Sequence, residues 1–308
     1  MGIISPITEF SMKMEEDFPA PSEKEKLNKL IDRDSKLIKS FPFRADIGEI
    51  KFRLADALVG RGSLGDYERA SAIYEEILQN YGSEYLRARA QIGKAELMSP
   101  GIRPEAIKGA LSLCDTARKN IKSDLSDFFM AKTYIIEADL RLVRDDKKEK
   151  DHEKALFLHE KLINERKAHW YFRARAMLGK SELVLYHYPK KLSEAIALCE
   201  RAEKLLSERK GDYFALKTKL IKAQLLRRRG KGSDIKKAED NLSEIIKSQT
   251  YFIDLVARAK LELAEISRQP KADKLLSELN QMEGLDPYII QKVKMVEEEL
   301  RIGKNKRK

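Results

Sequence analysis

One segment of this chain recurs along its length, and that recurrence restricts the fold more than any other feature. Tyr85–Leu97 reads YLRARAQIGKAEL, and Tyr171–Leu183 reads YFRARAMLGKSEL. The same frame returns as Phe128–Leu140 (FFMAKTYIIEADL), Tyr213–Leu225 (YFALKTKLIKAQL) and Tyr251–Leu263 (YFIDLVARAKLEL). The opening aromatics are 43, 43, 42 and 38 residues apart. A period of this size marks a stack of supersecondary units, each of which buries its apolar face against its neighbours. Counting the opening aromatic as position 0, position 9 holds Lys94, Glu137, Lys180, Lys222 and Lys260. Position 11 is acidic or Gln, and position 12 is always Leu.

A second pattern follows each of these segments. A small residue recurs at Ala70, Ala110, Ala155, Ala195, Ala238 and Ala272, and four residues later come Tyr74, Cys114, His159, Cys199, Leu242 and Leu276. Spacings of three, four and seven put such residues on one helix face, where the small residue admits a close neighbour. Each repeat therefore reads as a helix A–helix B hairpin. Turn residues separate the helices at Gly60–Gly65, Ser99–Pro104, Arg144–Asp151, Tyr186–Leu192 and Arg229–Ser233. Gly and Pro number only 15 and 9 in 308 residues, so few other breaks are available. The expected layout is a single domain over 21–300. It comprises an unpaired B-type helix over 22–39, hairpins over about 45–280 and a capping helix over 287–300 opened by Asp286-Pro287. Residues 1–20 read as disordered or extraneous N-terminal sequence, and 301–308 as a disordered basic tail.

Ile92-Gly93-Lys94-Ala95, Leu178-Gly179-Lys180-Ser181 with Ala195, and Asp66-Tyr67-Glu68-Arg69-Ala70 resemble the tetratricopeptide-repeat family and its "L-G-x-A/S... Y-x-x-A" pattern. The resemblance covers roughly residues 45–280. It departs from the family in its longer period, in a Gly present in only two copies, and in the absence of the usual Pro after helix B. It implies an all-α fold, a right-handed α-α superhelix of helical hairpins with the A helices lining a concave face.

The resemblance also points position 9 into that groove. Lys94, Lys180, Lys222 and Lys260, with Arg87 and Arg173 seven residues before the first two, would form a row of cations suited to an acidic peptide or partner protein. Against this stands the plainer reading that Lys is a good helix former on a solvated face. The formal net charge of +11 is itself uneven. Residues 201–237 carry a net +9 and residues 301–308 a net +5, so the remainder is nearly neutral. Arg227, Arg228, Arg229, Lys231, Lys236 and Lys237 thus form an alternative, polyanion-binding patch. Cations that end a helix also complement its macrodipole, which is the structural reading of the Arg triplet.

Chemistry-bearing motifs are few. Gly60-Arg-Gly62-Ser-Leu-Gly65 matches G-x-G-x-x-G, but it joins two helices and reads as a turn. The chain has no Walker-type G-x-x-x-x-G-K-S/T and no G-x-S-x-G. His152, His159, His169 and His187 lack metal-ligand spacing. No run approaches the roughly 18 apolar residues of a spanning helix. Two cysteines, Cys114 and Cys199, and an N-terminus without secretory character favour a reducing, cytoplasmic setting. The expectation is a non-enzymatic scaffold without metal or cofactor that binds a protein or peptide on its A helices. The alternative is a nucleic-acid or polyanion binder using 201–237 and the tail.

Overall fold

The computed structural model describes residues 23–305, apart from 64, 99–103, 144–148, 210–211 and 249–251. Among the described residues the fold is all-α, with fourteen α-helices and no strand. The B-type helices are α1 (Glu23–Ser40), α3 (Asp66–Asn80), α5 (Pro104–Asn120), α7 (Glu149–Asn164), α9 (Leu192–Leu205), α11 (Asp234–Lys247) and α13 (Lys271–Asn280). The A-type helices are α2 (Ile47–Arg61), α4 (Glu84–Leu97), α6 (Phe128–Val143), α8 (Trp170–His187), α10 (Tyr213–Arg229), α12 (Ile253–Ile266) and α14 (Pro287–Asn305).

Two compact units divide the chain within α8, between Ala176 and Met177. In the first, each of α1 to α7 packs on the next, and α2, α4 and α6 also touch in succession. In the second, α9 to α14 do the same, with α10, α12 and α14 touching in succession. Consecutive packing with A-on-A contact is the arrangement of a helical-repeat solenoid, and each unit has it.

The repeat columns become the core. All six alanines of the B-helix column are fully buried, and the residues four positions later are at most 3% exposed. Every removal of a methyl-sized neighbour in such a column matters, because two helix backbones meet there. The opening aromatics pack between repeats. Phe128 and Phe172 lie 4.8 Å apart, Phe52 and Phe129 5.9 Å, and Tyr213 and Phe252 5.2 Å, all edge to face.

Four helix starts are capped by short polar side chains, which answer free N–H groups at the helix N-terminus. Ser83 accepts from the Leu86 N–H at 3.3 Å, Asp212 from Phe214 at 2.7 Å and Asp286 from Tyr288 at 2.7 Å. Asp127 accepts from both Phe129 and Met130 at 2.9 Å. The G-x-G-x-x-G stretch is indeed a turn between helices, although α2 continues to Arg61. Gly62 and Gly65 both adopt positive φ, 60° and 78°. The last helix runs to Asn305, so Arg301–Asn305 extend it beyond the expected end at 300. Residues 1–22 and 306–308 lie outside the described residues.

One A helix is displaced from the frame expected of it. α12 begins at Ile253, with Phe252 at its N-cap. Its buried positions Leu255, Ala257, Ala259, Leu261 and Ala264 match Leu86, Ala88, Ala90, Ile92 and Ala95 of α4. Position 0 of this repeat is therefore Asp254, three residues beyond Tyr251. Tyr251-Phe252 imitates the Tyr213-Phe214 start, but Phe252 is the N-cap of α12 and Tyr251 lies outside the described residues.

Candidate partner-binding face

The expected row of free cations is a row of interhelical ion pairs. Lys94 pairs with Glu75 of α3, Lys180 with Glu194 of α9 at 2.8 Å, and Lys222 with Glu203 of α9 at 2.6 Å. Glu137, which breaks the lysine series, meets a reversed partner. Arg118 of the preceding B helix lies 2.6 Å away, and Arg141 adds a second contact at 2.7 Å. The position-9 side chain thus points toward the B helices, and its charge is answered by the opposite sign there.

Lys260 belongs to another column. At position 6 of the corrected frame, it pairs with Glu278 of its own hairpin at 2.8 Å. Lys51 and Lys219 occupy the same place in α2 and α10 and pair with Glu76 and Glu244. In all three hairpins the acid lies six residues beyond the buried alanine of the B helix. Tyr134 continues the column with an uncharged pairing, accepting from the Lys161 ammonium at 2.9 Å. The other two expected site residues differ. Arg87 acts on Glu84 one turn earlier, and Arg173 has a buried Nε without an acceptor.

A further charge column had not been read from the sequence. Position 4 is cationic in successive A helices, and three of these cations reach the position-11 acid of the preceding one. Lys132 meets Glu96 at 2.8 Å, Arg175 meets Asp139 at 3.4 Å, and Lys217 meets Glu182 at 2.8 Å. Arg89, also at position 4, pairs with Glu49 of α2 at 2.6 Å. Its guanidinium carbon stands 4.0 Å from the Phe52 ring and 4.9 Å from that of Phe129, a cation–π seat. The position-11 acids were visible in the repeat, and the cation seven residues earlier was the signal that would have completed the ladder.

The three arginines of the alternative basic patch are also engaged. Arg227 pairs with Glu262 at 2.6 Å and with Glu265. Arg228 donates to the Leu185 carbonyl oxygen. Arg229 holds Asp234 through two bonds of 2.8 Å. Lys231, Lys236 and Lys237 remain exposed on the turn and first residues of α11. A groove of about 450 Å³ between α9, α10 and α11 includes Lys222, Arg229 and Lys237, but also Glu200, Asp240 and Glu244. Its mixed lining does not present a uniform field to a polyanion.

The second unit places another set of residues on the A helices. Tyr186 of α8 and Tyr288 of α14 are 55% and 56% exposed. Protein density around Tyr186 nevertheless pushes its phenol up, with Glu182 adding to the rise and Arg258 opposing it. Tyr288 and Glu262 also act on this phenol. Tyr186 is therefore an exposed ring of α8 on which charged and phenolic groups of α8, α12 and α14 act. Burial pushes up the Tyr213 phenol of α10 as well, while Lys217 and Arg258 oppose that rise.

Among the described residues no helix is long and apolar enough to cross a membrane, and no group of three His, Cys, Asp or Glu side chains has a metal-binding arrangement. Compared with protein-family models, curated proteins and solved structures, the chain matches none.

Proposed function

We propose that this protein is a binding scaffold that holds a peptide segment of a partner protein on the A helices of its second unit. The observation that carries this reading is the exposure of two large aromatic side chains, Tyr186 and Tyr288, on A helices of this unit. Tyr288 of α14 and Arg258 of α12 both act on the Tyr186 phenol. Tyr and Arg are the residues most enriched where binding energy concentrates, because each combines a large contact area with polar atoms. The resemblance to tetratricopeptide repeats supports the same role. The lysine row does not contribute to it, since those charges are satisfied within the array.

The reading is tested by selecting a random dodecapeptide display library against the purified full chain. Enriched sequence families are expected on the wild type and absent on the Y186A/Y288A double variant. Equal enrichment on both would place binding elsewhere or deny it.

A further inference from the structure

The ladder between A helices lacks its acid at the rung from α10 to α12. In the corrected frame the position-4 cation of α12 is Arg258, equivalent to Lys132, Arg175 and Lys217. Each of those three meets a carboxylate at position 11 of the preceding A helix. Position 11 of α10 is instead Gln224, whose Nε2 donates to Glu262 at 2.7 Å. Arg258 forms no ion pair with another described residue, and its Nε is buried without an acceptor. The Gln224 Oε1 is likewise buried and unpaired. Buried guanidinium N–H groups without an acceptor also occur on Arg89, Arg118, Arg173 and Arg175, so what sets Arg258 apart from Lys132, Arg175 and Lys217 is the missing carboxylate across its rung.

We propose that Arg258 recognises an acidic side chain of the bound peptide, which supplies the carboxylate missing from this rung. This rests on the peptide-binding reading above and names the chemistry its partner must carry. A guanidinium presents a planar fork that matches a carboxylate in two parallel hydrogen bonds. Tyr186 and Tyr213 both lie within electrostatic reach of Arg258, so an arriving acid would be flanked by aromatic surface. Glu182, Asp254 and Glu262 also act on these tyrosines. Their negative charge disfavours a dianionic phosphate more than a single carboxylate, which selects an Asp or Glu side chain over a phosphorylated residue.

The dodecapeptide selection separates this inference from the reading beneath it. On the wild type, Asp or Glu should be enriched at one fixed position. That preference should vanish on R258Q, and on Q224E, where the rung is completed internally. The most enriched peptide, synthesised with an amidated C-terminus and a fluorescent label, should bind at least tenfold more weakly to both variants by anisotropy. Circular dichroism identifies whether each variant is folded; if Q224E melts below the wild type, R258Q alone decides. Enriched peptides lacking acids, or undiminished acid preference on folded R258Q, would overturn the role of Arg258 while leaving peptide binding intact. Loss of binding on amidation alone would show that the chain terminus is read and would equally overturn the proposal. No enrichment on the wild type would remove the peptide-binding reading itself.

Discussion

Arg229, the last residue of α10, grips Asp234, the first of α11, through Nε and Nη2 at 2.8 Å each. Asp234 also accepts from the Lys231 N–H at 3.0 Å, and Gly230 caps α10 with a φ of 62°. The first hairpin repeats this staple. Arg61 holds Asp66 at 2.8 and 2.7 Å, Asp66 accepts from the Ser63 N–H at 2.9 Å, and Gly62 takes a φ of 60°. The motif R-G-x-x-x-D therefore encodes a rigid A–B turn. R229A should lower stability by about 1.5–3 kcal/mol, because it removes both charge-assisted bonds to a buried carboxylate. Urea denaturation of R229A and R61A measures it. A change below a few tenths of a kcal/mol would show that the staples contribute little.

The same staples set an acid limit. The Arg229 side chain holds the Asp234 carboxyl at about 2, below its ordinary 3.8, and Arg61 lowers Asp66 in the same way. A depressed folded-state value means that the stabilisation is fully present above pH 3.8 and is lost as pH falls toward 2. Thermal melts of the wild type between pH 5 and pH 2 should therefore show a steeper decline than those of D234N. Parallel curves would exclude Asp234 as a contributor.

Charge reversal at position 9 should be rescued by reversal of its partner. K222E places two carboxylates together beside Glu203 and should cost about 1 kcal/mol. The K222E/E203K double variant should recover most of that loss, as the natural Glu137–Arg118 pair already adopts the reversed polarity. A double-mutant cycle with no coupling would reduce these pairs to solvated charges.

Gly93 is constrained by contact. A Cβ at this position would lie 2.4 Å from Cζ and 2.7 Å from the hydroxyl of Tyr74. Tyr74 is only 1% exposed and donates to Asp56 at 2.7 Å, so its ring has little freedom to retreat. G93A should destabilise the first unit by about 1–3 kcal/mol, the usual range for overpacking. G93A/Y74L, which removes the ring that the new methyl strikes, should regain part of the loss in the same denaturation assay.

Burial pushes the thiols of Cys114 and Cys199 up to about 12. At pH 8 neither supplies appreciable thiolate, the reactive form. A disulfide-exchange reagent should leave both unmodified in native protein and modify both in 6 M guanidinium. Rapid labelling of the native form would contradict the packing of α5 and α9.

Most of the architecture was legible because it rests on columns. The buried alanines and their i+4 neighbours identify the B helices from residue type alone, since close helix approach permits little else. Side-chain direction was harder. Position 9 was read as facing a groove because the repeated lysines were considered along one helix, whereas their acids lie on other helices at sequence separations of 14 to 19 residues. The position-4 ladder spans still longer separations of 35 and 36 residues. Lys260 was assigned to the wrong column because Tyr251-Phe252 resembles a helix start that the chain delays. The exposed tyrosines Tyr186 and Tyr288 escaped notice because they belong to no shared pattern.

The ladder gives the hairpins it joins a direction. α4, α6 and α8 each offer a cation toward the repeat before and an acid toward the repeat after, so these repeats join like links with distinct ends. A whole period can be duplicated or exchanged without disturbing that polarity. A single residue inserted between positions 4 and 11 cannot be absorbed so easily, because it turns one partner about 100° around the helix axis. Growth of such an array by gene duplication is accordingly quantised. Loops are free to vary in length, while the helical stretch between cation and acid must be copied intact.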